Sequence, residues 1–463
     1  MSDRLRTVSP VDGSVYVERD LATPAEIAAA LERARAASVG WRRTPIAERV
    51  ALVSRGVDAF VAARDRHAEE ITWQMGRPIA QSPGEVRGFE ERARYVLSIA
   101  AETLADVDPG PKPGFRRFIR REPLGVVLAI SPWNYPYLTA VNLVVPALAA
   151  GNVVILRHSP QTPLCAERIV AAFRSAGVPP GVLQFLHASD EDTDRLVGTE
   201  GIDHVAFTGS VRVGHLIQRF ASDRFVGVGL ELGGKDPAYV RADADLGHAV
   251  ENIVDGAFFN SGQSCCAVER VYVDAAVHDE FVERAVALAR GYRLGRPTDP
   301  SVTLGPLVHA AAADAVRAQV EEAVRLGAVP LLSPGDFPAD APGTPYLAPQ
   351  FLVGVHHGMR LMTDETFGPV VGIQRVAGDV EALRLMNDSR YGLTASIWTR
   401  DVEAAVRLGD EIETGTVFLN RCDALDPALA WTGVKDSGRG VTLSRLGLEA
   451  LTRPKSFHLR LPG

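Results

Sequence analysis

Cysteine is scarce in this chain. Only Cys165, Cys265, Cys266 and Cys422 occur among 463 residues. So few cannot build a disulfide framework, and a reducing cytoplasm is the expected compartment. An uninterrupted apolar stretch of about 20 residues, enough to cross a membrane, is missing as well. Runs such as AVNLVVPALAAGNVVIL are broken by Asn, Pro and Gly. The opening MSDRLRTVSPVDG has no apolar core of the kind a secretory signal needs. Basic excess is absent too. Lys and Arg number 49 against 57 Asp and Glu, a net charge of −8, which argues against a general nucleic-acid binder. No further Cys or His stands near the 265–266 pair at ligand spacing, so no metal site is expected. No complete G-x-G-x-x-G fingerprint, internal repeat or low-complexity tract is found.

What is present reads as a soluble globular protein: 46% hydrophobic and 23% charged residues. The length exceeds what one core usually supports, so two large domains are expected. The first ~100 residues read as helical. Thr23, Pro24 and Glu26 form a capping-box start, and Ile46, Val50, Val53, Val57 and Phe60 repeat at helical spacing. DPGPKPGFRRFIRREPLG then reads as an extended arm or edge hairpin. From Val126 onward, short apolar runs (VVLAI, NVVIL, LQFLH, HVAFTG, RFVGVGLELGG) alternate with helices. A second such series follows Gly234, through DPAYV, VERVYVD, PYLAPQFLV, PVVGIQRV, TASIWT and GTVFLN, and KSFHLRL reads as a lone final strand. Buried strands alternating with helices indicate parallel, doubly wound sheets.

Four stretches carry chemistry. Gly209 and Ser210 end an apolar run and open a helix, where free N–H groups suit a phosphate, although a plain helix cap is the commoner meaning of such a pair. Glu231 sits between Leu230 and Leu232, and burial there would raise its pKa toward that of a general base. In FFNSGQSCC, adjacent Cys265 and Cys266 face different ways, which disfavours a disulfide between them. Core packing or a thiol nucleophile remain. In AISPWNYPY, prolines stiffen the turn that holds Asn134, whose amide could serve an oxyanion or simply cap backbone.

Taken in order, PWNYP, the Gly-Ser helix start, ELGGK, FNSGQSCC and DETFGPV resemble the aldehyde dehydrogenase superfamily across essentially the whole chain, with Cys265 34 positions after Glu231. The resemblance implies an α/β fold of two doubly wound parallel domains plus a small β oligomerisation arm. Residues 1–112 and 123–232 would bind coenzyme, 233–441 would form the catalytic domain, and 113–122 with 442–463 the arm and last strand. It implies NAD(P)-dependent, non-acylating oxidation of an aldehyde to the acid. Cys265 would be the nucleophile, passing through a thiohemiacetal and a thioester. Asn134 and the Cys265 N–H would hold the oxyanion, and Glu231 would activate the hydrolytic water. The product of a coenzyme-A-acylating enzyme, or a non-catalytic binding role, are the alternatives. Glu231 and the retained set argue against both. A homodimer or homotetramer is implied, with a small-molecule aldehyde as partner.

The resemblance places Ser131, Pro132, Trp133, Arg157, Ser159, Gly209, Ser210, Leu232, Gly233, Glu365 and Phe367 around NAD or NADP. The family often has Lys and, three residues on, Glu at the adenosine ribose. Here these are Arg157 and Pro160, which removes a barrier to NADP. Tyr135, Leu138, Thr139, Asn142, Ser264, Cys266, Leu425 and Trp431 would line the substrate tunnel. Asn142 replaces a bulky aromatic of several members. The loop DALDPALAWTGVKDSGRG puts Asp423 and Asp426 near the mouth and offers no strong anion site, which weighs against succinic semialdehyde. Arg453 stands where some members have an acid that helps a proton leave.

Overall fold

The computed structural model describes residues 4–462. It opens on β-structure: Arg4–Val8 pairs antiparallel with Val15–Asp20. This corrects the expectation of a wholly helical start. The hairpin is carried by a turn with Gly13 at φ 76°. Helices Pro24–Trp41, Ile46–Val61, Arg64–Met75 and Pro83–Thr103 follow. The capping box forms as expected, with the Thr23 N–H donating to Glu26 Oε2 at 2.8 Å and the Glu26 N–H to Thr23 Oγ1 at 3.3 Å.

The first sheet runs Leu183–Phe185, Val153–His158, Val126–Ser131, His204–Thr208 and Gly227–Glu231, all parallel. The two strands VVLAIS and VVILRH are buried along their whole length, because helices cover both faces. Strand order reverses between Val126–Ser131 and His204–Thr208, so the crevice beyond their carboxyl ends is the expected ligand position. The second sheet has six parallel strands, with Val268–Asp274 and Asp236–Val240 central and the antiparallel edge Val329–Pro330 added. Its two faces belong to separate cores: Ala238 and Val240 pack on one, Tyr239 on the other.

The chain then returns to the first sheet. Gly438–Arg439 pairs antiparallel with Gly227–Glu231, and Leu448 and Leu451 join the first core. The arm Phe115–Pro123 pairs antiparallel with Thr452–Arg460, Phe118 stacking on Phe457 at 4.4 Å between centroids. The final strand therefore has a partner. No described helix is long and apolar enough to cross a membrane.

Candidate active site

Strand Val126–Ser131 ends in Pro132, Trp133, Asn134 and Tyr135, and helix Pro136–Ala150 begins at once. On that helix Leu138, Thr139 and Asn142 share one face, by the 3.6-residue period. Opposite, helix Leu246–Phe258 runs into three successive left-handed residues: Asn260 (φ 52°), Ser261 (φ 56°) and Gly262 (φ 72°). Left-handed backbone is costly for Asn and Ser and persists only where surroundings enforce it. Here packing does so. A Cβ on Gly262 would lie 2.4 Å from the carbonyl carbon of Gly368. The reversal delivers Cys265 to the cavity between the sheets.

One buried guanidinium ties these segments together. Arg77 Nη2 donates to the Asn134 carbonyl at 2.6 Å and Nε to Asn260 Oδ1 at 3.1 Å, while Nη1 pairs with Glu85 at 3.0 Å. The Asn134 amide donates one hydrogen to the Gln263 carbonyl at 3.2 Å. Its second N–H remains for a ligand.

The cavity has a volume of about 500 Å³. Asn134, Glu231 and Cys265 all line it. Of the expected coenzyme residues, Pro132, Trp133, Gly209, Ser210, Leu232, Gly233, Glu365 and Phe367 border it. All eight expected tunnel residues do as well: Tyr135, Leu138, Thr139, Asn142, Ser264, Cys266, Leu425 and Trp431. Ser131, Arg157 and Ser159 do not reach this cavity. They lie at the carboxyl ends of the adjacent strands Val126–Ser131 and Val153–His158, where the Ser159 N–H donates to the Ser131 carbonyl at 2.9 Å.

Glu231 ends its strand. It accepts from Thr208 Oγ1 at 3.1 Å and from the Thr442 hydroxyl. Burial raises its pKa, and these two hydrogen bonds work against the rise. Gly233 faces Glu365 so closely that a Cβ would sit 2.1 Å from a carboxylate oxygen. Burial, with Glu269 second, pushes Glu365 up to about 8. Phe367 meets Trp133 edge-on at 5.7 Å.

The residues fit a dinucleotide. Ser210 caps helix Val211–Phe220, leaving its first N–H groups at the crevice. Nearby, Ser131 Oγ, Arg157 Nε, both His158 ring nitrogens and Thr162 Oγ1 are buried without partners. Such a cluster of unsatisfied polar atoms is what a polar ligand's site looks like before the ligand arrives. Arg157 itself pairs with Asp190.

Several wall residues were not anticipated. Arg77, Glu85, Arg92, Thr208 and Asp255 all border the cavity. Gly84 and Gly88, one turn apart, are the sole trace of Arg92's placement in the sequence, and they do not show what packs against them. A Cβ on Gly88 would meet Leu138 Cδ2 at 2.5 Å, so the two helices touch there and Arg92, a turn further, faces inward. The tunnel therefore holds a cation, although the last loop supplies none. That loop behaves otherwise as read: Asp423 accepts from Cys266 Sγ at 2.8 Å and Ser264 Oγ at 3.1 Å, and burial raises Asp423 to about 6. Asp426 is exposed and accepts from the Ala428 N–H at 2.8 Å.

The fold and the cavity define a class: a dinucleotide-dependent oxidoreductase with a thiol at the coenzyme crevice. Comparison with known proteins gives the family. The model of the aldehyde dehydrogenase family matches residues 1–457. A succinate-semialdehyde dehydrogenase [NADP(+)] of Mycobacterium avium is 35% identical, over 98% of this chain and 96% of that protein. A solved NADP-dependent glyceraldehyde-3-phosphate dehydrogenase of Bacillus halodurans, complexed with NADP, superposes with TM-score 0.93 at 33% identity, covering 100% of this chain and 96% of that one. A succinic semialdehyde dehydrogenase of Streptococcus pyogenes, in complex with NADP+, does so with TM-score 0.94 at 29% identity, over 98% and 100%. The chain belongs to the aldehyde dehydrogenase family. It is an oxidoreductase that acts on aldehyde groups with NAD or NADP.

Proposed function

We propose that Cys265, Asn134 and Glu231 are the reacting set. The Cys265 thiolate attacks the aldehyde carbon, and the free N–H of Asn134 with the backbone N–H of Cys265 holds the oxygen as it takes up charge. A nicotinamide bound beside Glu365 and Phe367 would supply the acceptor for the hydride that leaves that carbon. Glu231 then takes a proton from water, which attacks the thioester and releases the acid and the Cys265 thiol. The supporting observation is the meeting of the three side chains in one cavity. Glu365 and Phe367 hold the nicotinamide end, Gly209 and Ser210 the pyrophosphate.

NADP is the preferred coenzyme in this reading. Pro160 supplies no carboxylate against a 2′-phosphate, and the relatives named above are NADP enzymes. Their names also favour a short aldehyde acid as substrate. Residues 1–112 and 123–232 serve as the coenzyme unit and 233–441 as the catalytic unit, except that Gly438–Arg439 adds an edge strand to the coenzyme sheet. The segments 113–122 and 442–463 pair subunits of a cytoplasmic homodimer or tetramer.

Single-turnover kinetics test the assignment. Glu231→Gln takes up hydride once per site and stalls as the thioester, whereas Cys265→Ala shows no hydride transfer and Cys266→Ala turns over with altered KM. Full steady-state turnover by Glu231→Gln removes Glu231 as the base.

A further inference from the structure

Two arginines border the cavity, and their surroundings differ. Arg77 is fully engaged by Glu85, Asn260 and the Asn134 carbonyl. Among the described residues Arg92 makes only two hydrogen bonds, both from Nη1: to the Leu138 carbonyl at 2.9 Å and to Asn142 Oδ1 at 3.2 Å. Among the described residues no carboxylate forms a salt bridge with it. Enclosure lowers its pKa, with Glu85 and then Glu231 opposing, yet a guanidinium stays charged at neutral pH. A charge held in a cavity without a direct ion pair is costly, so its retention there favours an anionic ligand.

Asn142 sharpens the point. Its oxygen faces Arg92, so its NH₂ is turned the other way, and no acceptor among the described residues takes it. The side chain is 4% exposed and borders the same cavity. A guanidinium edge beside an amide donor matches the two oxygens of one carboxylate.

We propose that Arg92, with the Asn142 amide, binds a carboxylate at the end of the substrate opposite the aldehyde, and so selects short aldehydes that carry one acid group. A phosphate fits less well. The subsite has one unpaired cation, while Glu231 and Asp423 lie along the same walls and repel a dianion. The inference rests on the aldehyde-oxidising reading and names what discriminates among its substrates.

The test compares kcat/KM for succinic semialdehyde and for butanal, the neutral four-carbon aldehyde, in the wild type, Arg92→Gln and Arg92→Lys. The wild type favours the acid. Arg92→Gln lowers the acid-to-neutral ratio about 30-fold, mainly through KM for the acid, and Arg92→Lys restores part of it. Equal loss for both aldehydes, as a merely structural role produces, overturns the proposal, as does a wild type that prefers butanal. Better turnover of glyceraldehyde 3-phosphate than of any carboxylate overturns the choice of carboxylate. Calorimetric binding of succinate to the wild type and to Arg92→Lys and Arg92→Gln needs no turnover. Binding that weakens about tenfold or more in Arg92→Gln supports the subsite even if no aldehyde is oxidised, in which case the activity reading alone fails. Succinate binding equal in all three proteins, or absent from the wild type, overturns the subsite.

Discussion

The two parallel sheets share an architecture and treat their buried polar groups in opposite ways. In the second sheet nearly every such group is satisfied. Lys235 Nζ donates to Glu269 at 2.7 Å and to Thr366 Oγ1 at 2.7 Å, Asp236 accepts from the Thr394 N–H at 3.1 Å, and Arg270 is spent on carbonyls of Lys235, Leu385 and Met386. In the first sheet, Ser131, Arg157, His158 and Thr162 keep unpartnered atoms at the strand ends. Burial pushes the His158 ring to about 3, so it stays neutral there and can accept or donate without a charge. Satisfaction therefore separates a scaffold from a binding crevice more sharply than topology does.

The largest break in this contrast comes from the satisfied sheet. Lys235→Met leaves Glu269 buried without its cation, and unfolding free energy falls by about 3–5 kcal/mol in denaturant titration. Ser131→Ala, which removes an already unpartnered hydroxyl, changes it by less than about 1 kcal/mol. The next effect is on coenzyme choice. Pro160→Glu places a carboxylate where a 2′-phosphate would lie and lowers kcat/KM for NADP at least about tenfold, with little change for NAD. Parallel loss for both coenzymes places the ribose elsewhere. The smallest is a pH shift. In the role proposed for it Glu231 works as a base only when ionised, so deacylation should fall as pH drops through its raised pKa. Thr442→Val removes a hydrogen bond that holds this pKa down. The acid limb of single-turnover deacylation then moves to higher pH, by less than about one unit. A limb that stays put, or moves lower, assigns it to another group.

Much of the site is readable in the sequence because its parts are continuous motifs. PWNYP, ELGGK, FNSGQSCC and ETFGP each sit on a strand end or tight loop, and each delivers its side chains to one cavity. What escapes is carried by helices that look like surface. GEVRGFEERARY reads as a solvated amphipathic stretch, since Glu and Arg dominate it. Only the contact of Gly88 with Leu138 turns Arg92 inward, and helix–helix approach is invisible in one strand of text. Arg77 escapes for a related reason: its partners stand 57 and 183 residues away. The opening hairpin is hidden more simply, because its alternation is short and directly precedes strong helix signals.

Arg77 has the role of a corner brace. It fixes the Asn134 backbone to the loop that carries Cys265, and it is itself anchored by Glu85. Frames of this kind fail as a unit. A lost brace leaves every reacting atom present and chemically competent, yet no longer in register with its neighbours, and misplacement by about 1 Å is enough to cost 10²-fold in rate. A survey of variants scored only by activity would thus rank a residue that holds backbone in place alongside those that react. Chemical labelling of the Cys265 thiol tells them apart, because a protein with a broken brace keeps the thiol it can no longer aim.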